Sequence, residues 1–393
     1  MLELKKQLSQ ELENILTFWE NNTVDTKNGG FIGKMNHQGQ IDPNAIKGGV
    51  LNARILWTFS EAYHFTHEPR YLTLAQRAFD YLKAHFWDTQ HGGVYWAVDA
   101  LGNPSSTRKQ IYGQAFAMYA FASFYKATQH QESLNLAIAL FEIIEKYSFD
   151  TVNGGYWEAF SQDWQLLTDL RLSEKDRNDP KTMNTHLHII EAYASLYLVW
   201  KDTRLASKLE HLLEIFNKHF INPKGHLNLF FDAEWHIQSS AISFGHDIEA
   251  AWLLQESAEI LGKQKWIDIF QEKAVLMANT SLRAIQSDGS LIHEYDLVSH
   301  HADMHREWWV SAEAMVGFYN AFQLTKHAQF LDAVKNTWTF IQKNLIDTQQ
   351  GEWVWGRYED GSLMEAEYKV GFWKCPYHNA RACMELIKRI TAE

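Results

Sequence analysis

Apolar positions in this sequence recur every three to four residues in twelve successive stretches. That spacing places the apolar side chains on one face of an α-helix. Every second stretch is apolar on most of its faces, as in 109–128, whereas the others carry charge on one face, as in 203–220. Because a helix that is apolar nearly all round is buried, the pattern predicts six inner and six outer helices. The predicted helices span 3–22, 48–65, 69–87, 109–128, 131–148, 180–200, 203–220, 243–262, 264–284, 306–325, 328–345 and 376–392.

A Gly-aromatic phrase separates successive helix pairs six times. It is clearest in Asn153-Gly154-Gly155-Tyr156-Trp157, and its marking glycines are Gly30, Gly93, Gly155, Gly225, Gly289 and Gly351. The intervals between these glycines are 63, 62, 70, 64 and 62 residues, and a nearly fixed period indicates a repeat architecture. A turn followed by alternating aromatic residues predicts a β-hairpin or a short extended segment at each phrase.

The repeats together predict an all-α fold, an (α/α)6 barrel of six inner and six outer helices with short β-hairpins and long loops at one face. A closed ring has one continuous core, so we expect a single domain over residues 1–393. The inner helices would run parallel, and their N-terminal ends would meet at the face that carries the loops. Long loops in a compact domain usually serve function, so we expect them to wall a cleft there. These loops are 97–108, 161–179, 232–242, 292–305 and 356–375.

Composition narrows the class of protein further. The net charge of −12 argues against nucleic acid as a partner, because no basic stripe is available to neutralise phosphates. The sequence holds no run of eighteen apolar residues and begins without the uncharged apolar stretch of a signal peptide. We therefore expect no membrane span and a cytoplasmic location. The ring shows no exposed apolar stripe, so a monomer or a weak homodimer is expected.

Cys375 and Cys383 are the two cysteines of the chain. Eight residues correspond to about 12 Å along a helix, which is too far for a disulfide. The sequence therefore predicts two buried thiols in a reducing compartment.

Polar residues cluster near the predicted starts of the inner helices, where the cleft is expected. His188, His246 and His378 come from three different inner helices. Other polar residues at similar depth are Arg54, Tyr112, Asn184 and Glu249. Asn184 and His188 are four residues apart and share one side of their helix. His186 points about 200° away from His188, which favours a structural role for His186.

Two other kinds of site are compatible with single motifs. His301 and His305 are four residues apart with Asp303 between them, but the stretch is predicted to be a loop and offers no further ligand pattern, so no metal site is expected. No phosphate-binding glycine loop or nucleophile elbow occurs, and no cofactor is expected.

A glycoside hydrolase on the same barrel would need two carboxylates about 5–10 Å apart. Its candidates are Glu158, Asp247, Glu249, Glu307 and Glu313.

Histidine suits proton transfer at neutral pH, because imidazole takes up and releases a proton near pH 7. Two histidines on opposite faces of one carbon could remove a proton from one side and return it from the other, which inverts a stereocentre without a cofactor. Arg54 could stabilise an enolate oxygen. Glu249 follows His246 by three residues and is expected to orient that ring. Trp308 and Trp309 are adjacent, so at most one of them is expected to face the cleft.

Three motifs carry a resemblance to a known family. They are Lys181-Thr182-Met183-Asn184 with His188, Phe244-Gly245-His246-Asp247-Ile248-Glu249-Ala250, and Trp373-Lys374-Cys375-Pro376-Tyr377-His378-Asn379. These motifs resemble those of the cellobiose 2-epimerase branch of the N-acylglucosamine 2-epimerase superfamily, whose members are (α/α)6 barrels. The resemblance covers essentially the whole chain.

The resemblance implies a sugar 2-epimerase that inverts C2 of the reducing-end residue of a β-1,4-linked disaccharide, as in cellobiose to glucosyl-mannose. The sugar ring opens, C2 is deprotonated to a cis-enediolate, and a proton returns from the opposite face. It also implies that His246 and His378 are the acid/base pair and that His188 is a third essential histidine. Substrate-binding roles are implied for Arg54, Tyr112, Asn184, Glu249, Trp309 and Trp373.

Alternatives to this function stay open at the level of sequence. A mannose 2-epimerase, a mannose isomerase or an N-acylglucosamine 2-epimerase would act on a monosaccharide and share almost all of these residues. The difference would lie chiefly in the loops 161–179 and 292–305. A glycoside hydrolase and a sugar-binding protein without turnover are further alternatives. The order in which His246 and His378 act is also left open.

Overall fold

The computed structural model describes residues 1–391, so the predicted helix end at 392 and the predicted domain end at 393 lie outside the described residues. The described part contains twelve α-helices, and each begins within three residues of its predicted start. They are α1 (Leu2–Asn22), α2 (Gly49–Thr66), α3 (Pro69–Tyr81), α4 (Ile111–Thr128), α5 (Gln131–Tyr147), α6 (Met183–Val199), α7 (Thr203–Ile215), α8 (Phe244–Leu261), α9 (Gln264–Leu282), α10 (Trp308–Thr325), α11 (Ala328–Asn344) and α12 (Tyr377–Thr391).

Two outer helices differ from the prediction at their C-terminal ends. The sequence predicts continuous helices over 69–87 and 203–220, whereas α3 and α7 end in π-helical turns at Leu82–Phe86 and Phe216–Phe220. The first and last residues of both turns are buried. The wider turn brings residues four apart onto nearly the same face, so both can pack against the core.

Short strands join each inner helix to the next repeat. The strand before an inner helix pairs antiparallel with a strand that follows the next Gly turn, as Lys181 pairs with Phe231. Because strand residues directly precede them, α4, α6 and α10 begin two or three residues later than predicted. The strands are β1 (Met35–Asn36), β2 (Lys47–Gly48), β3 (Ala97–Val98), β4 (Pro104–Ser106), β5 (Lys109–Gln110), β6 (Ala159–Phe160), β7 (Lys181–Thr182), β8 (Phe230–Phe231), β9 (Ala241–Ser243), β10 (Glu294–Asp296), β11 (Ala302–Asp303), β12 (Arg306–Glu307), β13 (Gly356–Arg357) and β14 (Tyr368–Val370).

The even-numbered helices form a closed inner ring. Each packs on the next from α2 to α12, and α12 packs back on α2. The strand β14, which precedes α12, pairs with β1 near the N-terminus, so the first and last repeats are also joined. The odd-numbered helices bury one face, as α7 does with Leu205, Leu209 and Leu212. The predicted (α/α)6 barrel is therefore confirmed. None of the helices within residues 1–391 has the length and apolar character needed to cross a lipid bilayer.

The six Gly-aromatic phrases form the predicted turns. Each turn is closed by one antiparallel bridge between the residues that flank it, such as Phe149 with Tyr156. The backbone at Gly155 has a φ of +80°, and a Cβ there would lie 2.5 Å from the Trp235 ring. Only glycine fits this combination of left-handed backbone and close approach.

Four of the turns are tied to the inner ring by buried lysines. The pairs are Lys47 with Asp25 at 2.8 Å, Lys109 with Asp88 at 2.9 Å, Lys181 with Asp150 at 2.7 Å, and Lys369 with Asp347 at 2.6 Å. Each aspartate also accepts hydrogen bonds from backbone N–H groups of its own turn. A buried ammonium is tolerated only when it is paired in this way, so the pairs fix each turn against the strand that leads into an inner helix.

A second tie comes from the inner helices themselves. Gln114, His186 and Asp247 each lie three residues after the start of their helix and accept the backbone N–H that follows a Gly turn. The donating residues are Val94, Tyr156 and Leu227. In His186 this acceptor is Nε2, and Nδ1 lies 2.7 Å from the carbonyl oxygen of Thr182. Burial lowers the pKa of His186 to about 3, so the ring is neutral and its role here is structural.

We predict that His186→Ala destabilises the fold more than His186→Gln does. Alanine leaves the backbone N–H of Tyr156 unpaired in the core, which costs about 1–3 kcal/mol of unfolding free energy. Glutamine keeps an acceptor, as Gln114 does at the same position of α4. Urea denaturation of the three proteins tests this. Equal stability of the two variants would contradict the assigned role.

Candidate active site

A cavity of about 490 Å³ opens at the face where the inner helices begin. Its volume lies within the range of about 300–1,000 Å³ that is typical of small-molecule sites. All nine residues named above as candidate site residues line it: Arg54, Tyr112, Asn184, His188, His246, Glu249, Trp309, Trp373 and His378. The other lining residues are Leu172, Ser173, Glu174, Lys175, Asp176, Glu307, Trp308, Trp355, Glu367 and Tyr368.

Two of the five predicted loops contribute to the cavity wall. The loop 161–179 supplies residues 172–176, and the loop 356–375 supplies three lining residues. Within residues 1–391, the loops 97–108, 232–242 and 292–305 supply none, contrary to the expectation. The loop 97–108 instead contributes β3 and β4 to a three-stranded sheet with β2, and the loop 292–305 contributes β10 and β11 to a three-stranded sheet with β9. Glu294 of the latter loop reaches only a neighbouring cavity of about 90 Å³.

His378 is held by Glu313 of the neighbouring helix α10. Its Nδ1 lies 2.7 Å from Oε1 of Glu313. An ionised carboxylate only accepts, so Nδ1 carries the hydrogen and the lone pair is on Nε2. Burial lowers the pKa of His378 to about 3, although Glu313 acts in the opposite direction. The ring is therefore neutral at pH 7, which is the state required of a general base.

His188 is held in the same manner by Glu191, which follows it on α6. The distance from Nδ1 to Oε2 of Glu191 is 2.9 Å. The ring packs against Tyr112 and Phe116, with centroids 5.0 and 4.6 Å away. Burial lowers the pKa of His188, and Glu191 offsets part of that effect. His188 thus also presents an unprotonated Nε2.

His246 is positioned by Ser243, which precedes α8. Its Nδ1 lies 2.8 Å from the Ser243 hydroxyl oxygen. Burial and neighbouring histidines lower its pKa to about 3. The expectation that Glu249 orients this ring is wrong, because Glu249 binds Arg381 instead. His246 lies in the first turn of α8 near the cavity mouth, whereas Glu249 lies almost one turn deeper.

Trp309 brings His246 and His378 together at one wall. Its ring centroid lies 4.8 Å from that of His246 and 5.9 Å from that of His378. Trp308 lines the cavity as well, so the expectation that only one of the adjacent tryptophans faces it is wrong. Successive residues at a helix start diverge by about 100°, and a cavity that surrounds the helix end meets both. Trp308 also packs on Trp355, with centroids 4.5 Å apart.

Arg54 and Asn184 offer polar groups to the same space. One terminal nitrogen of Arg54 donates to the Tyr112 hydroxyl at 2.8 Å, and the guanidinium lies 4.2 Å from the Phe116 ring centroid. The amide oxygen Oδ1 of Asn184 is buried and accepts no hydrogen bond among residues 1–391. A buried acceptor of this kind is costly unless a ligand or water satisfies it.

Arg381 is a buried residue of the site that sequence reasoning missed. Its guanidinium donates to three carboxylates: Nη1 to Glu191, and Nη2 to Oε1 of Glu249 at 2.7 Å and of Glu313 at 2.6 Å. The aligned repeats do contain a pattern that points to Arg381. One ring layer, four or five residues after five of the six inner-helix starts, carries polar residues: Arg54, His188, Glu249, Glu313 and Arg381.

The two carboxyls that share Nη2 of Arg381 differ in pKa. Burial raises the pKa of Glu249, and the adjacent Glu313 raises it further against the effect of Arg381. For Glu313, burial is outweighed by Arg381 and His378, which hold its pKa low. The pKa of Glu249 is therefore the higher of the two.

Glu249, Glu313 and His378 have ligand atoms within 4.8 Å of one another, close enough to hold a metal ion. However, Nη2 of Arg381 already donates to both carboxylates. The cluster is therefore better described as an ion-pair network. In the other histidine cluster considered as a metal site, His305 contacts Asp303 at 3.1 Å in the loop 292–305.

The five carboxylates considered for a hydrolase are mostly engaged in other contacts. Glu158 accepts from the backbone N–H of Thr182 and the hydroxyl of Thr185. Asp247 anchors a Gly turn and Glu313 holds His378. Of the five, Glu249 and Glu307 line the cavity.

Cys375 and Cys383 are free and buried, as predicted.

Known proteins resemble the chain over its full length. A cellobiose 2-epimerase of Bacteroides fragilis is 44% identical over 386 residues, which is 98% of this chain and 98% of that protein. The solved structure of a cellobiose 2-epimerase from Bacillus thermoamylovorans has a TM-score of 0.94 and 38% identity, covering 99% of this chain and 100% of that one. A D-mannose isomerase structure, 22% identical with a TM-score of 0.84 over 98% of this chain and 97% of that one, shares the fold.

Residues 30–382 match the family model of N-acylglucosamine 2-epimerase (GlcNAc 2-epimerase). With the full-length relatives, this match defines the helical barrel as a carbohydrate epimerase, an enzyme of the isomerase class. The chain belongs to the N-acylglucosamine 2-epimerase family.

We predict that the buried histidines do not titrate in the usual range. Burial lowers the pKa of His186, His246 and His378 to about 3, so their rings should stay neutral from pH 8 to pH 5. The exposed ring of His236 has a raised pKa beside Asp232 and should gain its proton above pH 6.5. Ring ¹⁵N NMR, assigned with single histidine variants, tests this. A midpoint near pH 6.5 for His378 would contradict it.

We predict that Glu313→Gln lowers kcat about 100-fold, since positioned acid–base groups contribute about 10²- to 10⁴-fold. The amide keeps the shape of the side chain but removes the charge that fixes the His378 tautomer and pairs with Arg381. Initial-rate kinetics on a sugar substrate measure the loss, and circular dichroism checks the fold. The matched control is Glu272→Gln on the exposed face of α9. A folded Glu313→Gln protein with the kcat of the wild type would contradict the prediction.

Proposed function

We propose that this enzyme inverts C2 of the reducing-end residue of a β-1,4-linked disaccharide, converting cellobiose to glucosyl-mannose. His246 and His378 are the acid/base pair of this proposal. The observation that carries it is that both rings border one cavity against the same indole, that of Trp309.

Epimerisation at C2 needs one proton removed and another delivered to the opposite face. In the opened sugar the C2–H bond breaks, its proton goes to one imidazole, and the electrons form a cis-enediolate. After rotation about C2–C3, the second imidazole, which takes up a proton from solvent, protonates C2 from the other side. Because Glu313 keeps the hydrogen of His378 on Nδ1, Nε2 of His378 is ready to act as the base. The first imidazole then releases the C2 proton to solvent, so both rings return to the neutral state and solvent supplies the hydrogen that C2 gains.

The remaining groups fit the other charges of this reaction. His188 presents an unprotonated Nε2 and would assist ring opening, held by Glu191. Arg54 is a cation beside the cavity and would stabilise the enediolate oxygen as charge develops. Glu249, which lines the cavity, and Asn184, with its unsatisfied amide oxygen, would bind sugar hydroxyls.

A disaccharide is supported by the lining of the cavity. Indole rings of Trp309, Trp355 and Trp373 line it together, which provides more flat apolar surface than one sugar ring needs. The 44% identical relative from Bacteroides fragilis is a cellobiose 2-epimerase. The loop segment 172–176 covers the same cavity and would contact the second sugar.

The decisive experiment is incubation with cellobiose in D₂O followed by NMR and mass spectrometry. We predict a product with an inverted C2 that carries solvent deuterium there, and loss of turnover by about 10²-fold or more in His378→Asn. His236→Asn, an exposed histidine, is the control. Free glucose, mannose and N-acetylglucosamine are assayed in parallel. Turnover of a monosaccharide alone, or release of glucose from cellobiose, would overturn the proposal.

A further inference from the structure

Glu307 is a cavity carboxylate with both oxygens engaged by tryptophans. It directly precedes α10 but makes no side-chain hydrogen bond to the helix N-terminus, where a carboxylate would ordinarily cap. Instead, Oε2 accepts from the indole nitrogen of Trp309 at 2.7 Å, and Oε1 accepts from that of Trp355 at 3.2 Å. The side chain is 15% exposed and lines the cavity.

The two indoles come from different parts of the chain. Trp309 lies in the first turn of α10, and Trp355 directly precedes β13. Pairing of Glu307 with Gly356 between β12 and β13 brings them to one wall. Because the Trp309 ring also contacts the acid/base histidines, the carboxylate fixes two flat surfaces relative to the reacting groups.

A cation balances the charge of this carboxylate. Nε2 of His293 lies 3.9 Å from Oε2 of Glu307, and Nδ1 lies 3.4 Å from Asp303. Burial alone would lower the pKa of His293, but Asp303, Glu307 and Glu294 outweigh it and raise the pKa to about 9. The His293 ring also packs edge-on against Trp309, with centroids 6.0 Å apart. His293 therefore places a positive charge beside the Glu307 carboxylate that accepts from the two indoles.

We propose that Glu307 is a positioning residue that holds Trp309 and Trp355 as a pair of sugar-stacking surfaces and so sets sugar affinity. The inference rests on the proposed function for the nature of the ligand. Indole faces pack on the C–H faces of sugar rings, and this contact depends on ring orientation. The side-chain partners of Glu307 within residues 1–391 are the two indoles and His293, so proton transfer at His246 and His378 does not run through it.

The test is Glu307→Gln, which keeps the shape but leaves one acceptor oxygen for two indole donors. One N–H group is then unpaired, and we expect KM for cellobiose to rise about tenfold while kcat stays within about threefold. A purely structural defect would instead lower the active fraction and therefore kcat. Glu365→Gln is the matched control, since Glu365 is an exposed carboxylate of the same loop as Trp373.

Calorimetric titration with cellobiose separates this inference from the proposed function, because it needs no turnover. If the wild type binds the sugar without epimerising it, the proposed function fails, and the inference is still judged by the affinity of Glu307→Gln. KM and affinity within twofold of wild type, or a loss in kcat alone, would overturn it. Should Glu307→Gln not fold, Trp355→Phe removes one indole donor and keeps an aromatic ring. Unchanged sugar affinity in that variant would also overturn the inference.

Discussion

The site depends on one buried guanidinium. Arg381 on α12 donates to Glu191 on α6, Glu249 on α8 and Glu313 on α10, so four of the six inner helices meet in a single ion-pair network. Buried charges of this kind are tolerated only when each is paired and hydrogen-bonded, and removal of one partner leaves the others uncompensated. The relative positions of these helices and the charges beneath the cavity are therefore fixed by the same contacts.

The same network sets the chemistry of two histidines. Glu313 accepts from both Arg381 and His378, and Glu191 accepts from Arg381 with one oxygen and from His188 with the other. Carboxylates held in this way remain ionised acceptors, so each keeps the imidazole hydrogen on Nδ1 and leaves Nε2 toward the cavity. The tautomers of the histidines are consequences of the packing of the barrel.

The ring of helices could be predicted from the sequence because its causes are local: the apolar spacing and the Gly turns. The site residues could be placed at one face because each lies near the start of an inner helix. Contacts across the barrel could not be predicted. Arg381 and Glu191 are 190 residues apart, and no local pattern links them. The assumed link from His246 to Glu249 failed because Arg381 of another helix binds Glu249, while Ser243, three residues before His246, holds the imidazole.

The repeat explains why a structural histidine and a histidine proposed to take part in the reaction lie so close in sequence. In α4, α6 and α8 the side chain three residues after the helix start accepts the N–H of a Gly turn, through Gln114, His186 and Asp247. Two residues later the side chain faces the interior of the ring, where no turn constrains it. His188 lies in that second layer with Arg381, and His186 lies in the first. The position of a histidine within the repeat, rather than its residue type, therefore distinguishes the structural His186 from His188 of the proposed mechanism.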